Sequence, residues 1–287
     1  MPLPASMPSL NRKRSGLRIV LWNIRAGGGR RVGAILDRLA GWEPDVVALC
    51  EFRDTPPSRE LARGLAAQGL AHQQRTAWPP RPAANRLLIA ARWPLSRLRL
   101  RGEPAEDGRW LLARVEASRP FALGLMHVPN RVTGRKYPFL DGVLALARRW
   151  RRGPAVFVGD TNSGCRGLDE ETPTFNQRED AWMRALAGAG WSDGFRHLRG
   201  DERAYTWYSP NGGHGFRIDQ AFVNRHLLPR LRAARYAWGG SEDRGRLGAP
   251  SDHAALLVDL DAEPAHPAGA AFAGWNRTGG GGVRRGR

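Results

Sequence analysis

Four apolar runs in this chain each stop at a single polar residue, and that repetition constrains the fold more than any other feature. Leu17–Trp22 ends at Asn23, Val46–Cys50 at Glu51, Phe121–Met126 at His127, and Ala155–Gly159 at Asp160, with Asn162 just beyond. Short runs rich in Val, Leu and Phe and bounded by polar residues read as buried strands. Ligands of α/β sheets gather at the carboxyl ends of their strands, so four such strands place four polar groups on one rim. Ser251-Asp252-His253 precedes a further run, Ala254–Leu260, and reaches the same rim if that strand runs antiparallel.

Between the strands the period changes. Val32, Ile35, Leu36 and Leu39 form one helical stripe, Phe139, Val143, Leu146 and Trp150 a second, and Trp182, Leu186 and Ala189 a third. Other strand-like runs are Arg86–Ala91, Trp110–Ala117, Phe216–Val223 and Leu231–Trp238, with hairpin-like stretches over 86–127 and 203–238. A strand, helix, strand pattern opens each half, near 17–51 and 121–160. The pattern predicts an α/β or α+β class, a mixed sheet system covered by helices. With 41% hydrophobic and 25% charged residues, the 287-residue chain has the composition of a folded protein. Residues 17–261 are expected to form one domain, flanked by disordered tails, one Pro/Ser-rich and basic (1–16), the other Gly/Arg-rich (262–287).

If the strand ends converge, Glu51, Asp160 and Asp252 place three carboxylates in one concavity, at a cost in repulsion that a divalent cation relieves. Hard oxygen donors point to Mg²⁺ or Mn²⁺. The two cysteines, Cys50 and Cys165, support neither a disulfide framework nor a zinc site, and Cys50 reads as a buried thiol. His127 and His253 are then available to an anionic substrate, and the combination describes phosphoester hydrolysis. The net charge of +18 favours a polyanionic partner, with nucleic acid first. Only Lys13 and Lys136 are lysines; codon composition selects Arg over Lys but does not by itself create the surplus. No apolar run reaches membrane-spanning length and Met1–Leu17 lacks a signal-peptide core, which predicts a soluble, cytoplasmic protein with no membrane partner, acting as a monomer.

Two basic stretches carry competing readings. Gly27-Gly28-Gly29-Arg30-Arg31 directly follows Asn23, so Arg30 and Arg31 are expected to contact substrate, while the glycines match neither a P-loop nor a dinucleotide fingerprint. Arg148-Arg149-Trp150-Arg151-Arg152 closes a helix, where cations complement the dipole before they bind phosphate. Asp219, two residues after Arg217, reads either as a site residue or as half of a simple Arg217–Asp219 ion pair.

In order, Leu21-Trp22-Asn23-Ile24-Arg25, Ala48-Leu49-Cys50-Glu51-Phe52-Arg53, His127-Val128-Pro129-Asn130, Gly159-Asp160-Thr161-Asn162, Arg217-Ile218-Asp219 and Ser251-Asp252-His253 resemble the endonuclease/exonuclease/phosphatase superfamily, which includes exonuclease III, apurinic endonucleases and deoxyribonuclease I. The resemblance spans about residues 17–260 and implies a four-layered sandwich, two stacked mixed β-sheets between helices. It implies that Asn23, Glu51 and Asp252 serve a Mg²⁺ or Mn²⁺ ion, Glu51 most directly. It implies that Asp160 is the general base, Asn162 its positioning partner or a phosphate contact, and His253 a phosphate contact oriented by Asp219. His127, where the exonuclease III branch carries Tyr, resembles the catalytic His of the deoxyribonuclease I branch and is expected to donate a proton or bind phosphate. Asn130 and Trp207 are implied substrate contacts, and Arg131 and Thr161 depart from the usual Gly and Phe. The implied activity is DNA cleavage. The alternatives are phosphomonoester or phospholipid-type hydrolysis on the same residues, or nucleic-acid binding without catalysis.

Overall fold

In a computed structural model, residues 16–77, 81–104, 108–240 and 246–261 are described. The tails expected at 1–16 and 262–287 lie outside them, apart from Gly16, which starts the first strand. In chain order the principal elements are β1 (Gly16–Asn23), α1 (Val32–Trp42), β2 (Val46–Phe52), α2 (Pro56–Ala67), β3 (His72–Arg75), β4 (Arg86–Ala91), β5 (Leu95–Arg97), β6 (Trp110–Val115), β7 (Phe121–His127) and α3 (Lys136–Arg149). They continue with β8 (Ala155–Asp160), α4 (Gln177–Gly188), β9 (Trp191–Asp193), α5 (Gly194–Arg199), β10 (Trp207–Tyr208), β11 (Gly215–Phe216), β12 (Asp219–Asn224), β13 (Leu231–Ala237) and β14 (Ala255–Asp261).

Two six-stranded sheets result, ordered β13-β14-β1-β2-β4-β3 and β5-β6-β7-β8-β12-β9, with β10 and β11 forming a separate pair. Each large sheet holds one parallel pair at its centre, β1 with β2 and β7 with β8, and the connecting α1 and α3 lie on the outer faces. The strand, helix, strand units read from the sequence are therefore real and repeat once per sheet.

Strand alternation explains the layering, because successive side chains point to opposite faces. Ile19, Leu21, Ala48 and Cys50 of the first sheet meet Leu123, Leu125, Val156 and Val158 of the second in one buried core. The intervening Val20, Trp22, Val47 and Leu49 face Ile35, Leu39, Leu61 and Leu65 of α1 and α2. On the far side Leu112, Phe157 and Phe222 pack on Phe139, Val143, Leu146, Trp182 and Leu186 of α3 and α4. Buried on both faces, these strands need the continuous apolar runs seen in the sequence. The layers read helix, sheet, sheet, helix, the expected four-layered sandwich.

The hairpin-like stretches behave differently from expectation. β6 and β7 do form a hairpin, but β4 belongs to the other sheet, so 86–127 crosses between layers. Over 203–238, β12 and β13 likewise sit in different sheets. The run Phe216–Val223 is split into β11 and β12, because fully buried Arg217 turns into an ionic network instead of continuing the ladder.

Candidate active site

The parallel pairings bring the rim together. In β1 and β2 Asn23 stands level with Cys50, one residue before Glu51. In β7 and β8 His127 is directly opposite Asp160. β12 runs antiparallel to β8 and begins with Asp219 opposite Asp160, while β14 runs antiparallel to β1, so His253 arrives at the same edge. Gly159 is required here: a Cβ would lie 2.0 Å from the Met126 carbonyl oxygen and force β7 and β8 apart beside the His127–Asp160 pair.

Asp160 lies at the centre. Its Oδ2 accepts a hydrogen bond from Asn23 Nδ2 at 3.0 Å, and its Oδ1 accepts one from the Asn162 backbone N–H at 3.1 Å. His127 Nε2 lies 3.6 Å from Asp160 Oδ2, beyond hydrogen-bond range. The Ala26 N–H donates to Glu51 Oε2 at 2.7 Å, and Asn23 Oδ1 accepts from the Arg25 N–H at 3.0 Å. Facing them, His253 Nδ1 and Asp219 Oδ2 are hydrogen-bonded at 2.9 Å. Ser251 Oγ donates to the Asn23 carbonyl at 2.6 Å, tying the 251–253 segment to β1.

Backbone strain concentrates on this rim. Arg25, Ala26, Glu51 and Asn162 have φ between 46° and 61°, in the left-handed region that costs a non-glycine residue about 1–3 kcal/mol. Glu51 lies inside β2, at an irregularity where the pairing with β4 shifts between Leu49 and Phe52, so its carboxylate turns to the rim while the strand continues. Lys136 of α3, buried, donates from Nζ to the Asn162 carbonyl and to Glu179, whose own carboxylate completes the capping box of α4.

The two histidines diverge electrostatically. Burial alone would lower the His253 pKa, but the charge and hydrogen bond of Asp219 outweigh it and raise the value to about 9. Burial lowers the pKa of His127 below 6.5, opposed by Asp160 and reinforced by Arg109. The Asp160 carboxyl is raised by burial, against the pull of His253 and His127. Glu51 is held low: burial opposes ionisation, but the Ala26 N–H, His127 and Asn23 favour the charged form more strongly.

These groups line a cleft of about 300 Å³ that includes Glu51, His127, Asn130, Asp160, Asn162, Trp207, Asp252 and His253. The Trp207 ring stands 6.3 Å from that of His253. Arg30 and Arg31 do not border the cleft. The glycine turn carries them outward, and the Arg31 guanidinium instead donates to the Pro250 and Arg25 carbonyls. No Arg217–Asp219 ion pair forms: Arg217 binds Asp169 at 2.7 Å and Asp193 at 2.6 Å. Two lining residues, Asn85 and Arg109, carry no sequence signal, since each sits alone before a strand.

The donor set fits a hard cation. Asp252 Oδ1 and Asp219 Oδ1 are buried without a hydrogen-bond partner, and Asp160, Asp219 and His253 offer ligand atoms within 4.8 Å of one another. That trio differs from the expected Asn23, Glu51 and Asp252. In it His253 Nδ1 is already engaged by Asp219, which leaves the oxygen donors as the better match to Mg²⁺ or Mn²⁺.

The fold and parts of the sequence have relatives. The solved structure of an AP endonuclease from Archaeoglobus fulgidus superposes with a TM-score of 0.70 at 20% identity, over 85% of this chain and 99% of that one, a likeness of fold. Recombination repair protein 1 of Drosophila melanogaster is 31% identical over 149 residues, 43% of this chain and 21% of that protein. An exodeoxyribonuclease of Streptococcus pneumoniae is 25% identical over 130 residues, 40% of this chain and 44% of that protein. The chain thus spans less than half the length of these curated relatives. Residues 20–253, from the middle of β1 to the His253 that faces Asp160, match the pattern of one family throughout, and the chain belongs to the Endonuclease/Exonuclease/phosphatase family.

Proposed function

We propose that this protein hydrolyses phosphodiester bonds in DNA with the help of Mg²⁺ or Mn²⁺. One observation carries the reading: a buried carboxylate, Asp160, faces a histidine kept cationic by Asp219 across a cleft that also holds the carboxylates of Glu51 and Asp252. Asp160, its charge opposed by burial, takes a proton from the attacking water. Asn162 and Asn23 hold that carboxylate in place. His253, oriented by Asp219, donates to a phosphoryl oxygen as charge develops. His127 and Asn130 bind the phosphate from the opposite wall, and Trp207 packs on the adjoining sugar or base. Glu51, Asn23 and Asp252 would hold the cation, which supplies Lewis-acid stabilisation of phosphoryl charge. DNA is favoured by the +18 charge and by the names of the relatives, one a recombination repair protein and another an exodeoxyribonuclease. We take the protein to act as a monomer in the cytoplasm; among the described residues no helix is long and apolar enough to cross a membrane.

Incubation with Mg²⁺ and labelled duplex containing one abasic site, intact duplex, single-stranded DNA, RNA and a bis(nitrophenyl) phosphate tests this reading. Cleavage of one or more DNA substrates is expected, abolished by EDTA and restored by Mg²⁺ or Mn²⁺. Undiminished hydrolysis in excess chelator would remove the mechanism. Activity on bis(nitrophenyl) phosphate alone would move the substrate to a phosphodiester outside nucleic acids.

A further inference from the structure

The arginine run that closes α3 has a use beyond helix capping. A second concavity, of about 280 Å³, opens where α3 and α4 end and β12 turns toward β13, with Arg148, Arg151, Asn224, Arg225 and His226 as its polar lining and no carboxylate among the lining residues. It lies at the opposite end of β8 and β12 from Asp160 and Asp219, five residue steps or roughly 17 Å along the strand. Trp150 and Trp191 form its buried floor.

The walls are fixed in advance. Asn224, itself buried, accepts from the Ala155 N–H at 3.0 Å and the Leu227 N–H at 3.1 Å and donates to the Gly153 carbonyl at 2.8 Å. Arg151 is held by the Arg148 and Trp150 carbonyls at 3.2 and 2.9 Å, and Arg225 Nε donates to His226 Nε2 at 3.3 Å. The two helix ends offset part of the charge, about half a negative charge each. Against three guanidiniums that leaves a surplus of roughly two positive charges, more than capping needs.

We propose that this concavity is a second nucleic-acid contact that takes backbone phosphates of a polynucleotide away from the catalytic cleft. A membrane surface fits less well: interfacial binding needs exposed apolar side chains, and those that are exposed among the described residues, Val132, Leu198 and Leu247, do not border it. Backbone phosphates suit fixed arginines, which bind them without reading sequence.

The test compares the wild-type protein with Arg148→Gln/Arg151→Gln/Arg225→Gln and with the single Arg225→Glu, by fluorescence anisotropy on a long DNA duplex across a salt series. The triple variant should bind roughly tenfold more weakly at moderate salt, with a plot of log affinity against log salt shallower by about 2 to 3, since each lost phosphate contact removes about 0.9. Arg225→Glu should move both in the same direction, which keeps the test alive if the triple variant does not fold. Turnover of bis(nitrophenyl) phosphate, too small to reach both sites, should stay unchanged. An unaltered salt slope overturns the proposal, as does loss of binding to anionic phospholipid vesicles with duplex binding intact, or tight binding of inorganic phosphate that depends on these arginines while duplex binding does not. The inference rests on the nucleic-acid reading above, yet the two fail separately: arginine-dependent duplex binding without any cleavage would sink that reading and leave this site standing.

Discussion

His127 and His253 look into the same cleft from different sheets, and their surroundings give them opposite characters. His253 is backed by Asp219, which stands on a buried network: Tyr236 donates to the Asp219 carbonyl at 2.9 Å, Arg217 donates to Tyr236 at 3.2 Å, and Asp169 and Asp193 neutralise Arg217. His127 has no carboxylate within hydrogen-bond range. Its carbonyl accepts from Arg109 at 3.2 Å, and the nearest acid, Asp160, stands at 3.6 Å. One imidazole is thereby kept cationic and the other neutral near pH 7. Environments that push two titratable groups apart suit them to different tasks, so in the proposed mechanism His253 would supply charge and His127 a neutral hydrogen-bonding edge. The role of proton donor expected for His127 fits this lowered pKa less well than phosphate binding does.

The largest effect should come from the carboxylate between them. Asp160→Asn keeps the shape and should reduce turnover by roughly 10² to 10⁴ with DNA affinity retained, measured by single-turnover kinetics beside binding. A variant as fast as the parent would make Asp160 a structural cap and leave the histidine contrast without a base to serve.

Next in size is the support beneath His253. Arg217→Met leaves buried Asp169 with Arg196 as its remaining cation and half-buried Asp193 without its Arg217 partner, and should cost about 3 kcal/mol of unfolding free energy in urea titrations. Asp169 is held below its ordinary pKa: burial opposes its ionisation, and Arg217, helped by Arg196, overcomes that. A loss below 1 kcal/mol would show that the network bears little of the His253 side.

The pH profile sharpens the contrast directly. With His253 raised from 6.5 to about 9, its cation-dependent activity should persist until the pH passes about 9. Asp219→Asn should bring that alkaline limb down toward 6.5. The same linkage acts on stability. The contribution of the His253–Asp219 pair is complete below about 6.5 and lost as the pH rises through about 9, so the wild type should lose more stability than Asp219→Asn over that window. Identical limbs in the two proteins would break the assignment.

His127→Gln should have the smallest effect. A neutral hydrogen-bonding group replaces another, and the loss should be about tenfold or less, the worth of one hydrogen bond, and equal on DNA and on bis(nitrophenyl) phosphate. A loss of 10² or more confined to substrates with poor leaving groups would return His127 to the role of proton donor.

Much of this arrangement was legible in the chain because its signals are local. Strand ends at Asn23, His127 and Asp160 follow from apolar runs that stop, and buried central strands cannot avoid such runs. Weak signals were missed. β3 (His72–Arg75) is a polar edge strand, β9 (Trp191–Asp193) is three residues long, and α2 opens on two prolines with little more than Leu61 and Leu65 facing the core. Sequence alone therefore determined the mixed α/β class, the order of the strands' polar ends and the chemistry of the donors, since each depends on residue types within one element, while the sandwich was implied by the family resemblance. Only the tertiary structure decided that Arg31 is spent on carbonyls, that Arg217 pairs with Asp169 rather than with Asp219, and that two histidines on one rim differ in charge. Those outcomes turn on burial and on partners distant in the chain, and hydrogen bonds and Coulomb forces act over a few ångströms of space regardless of how many residues lie between.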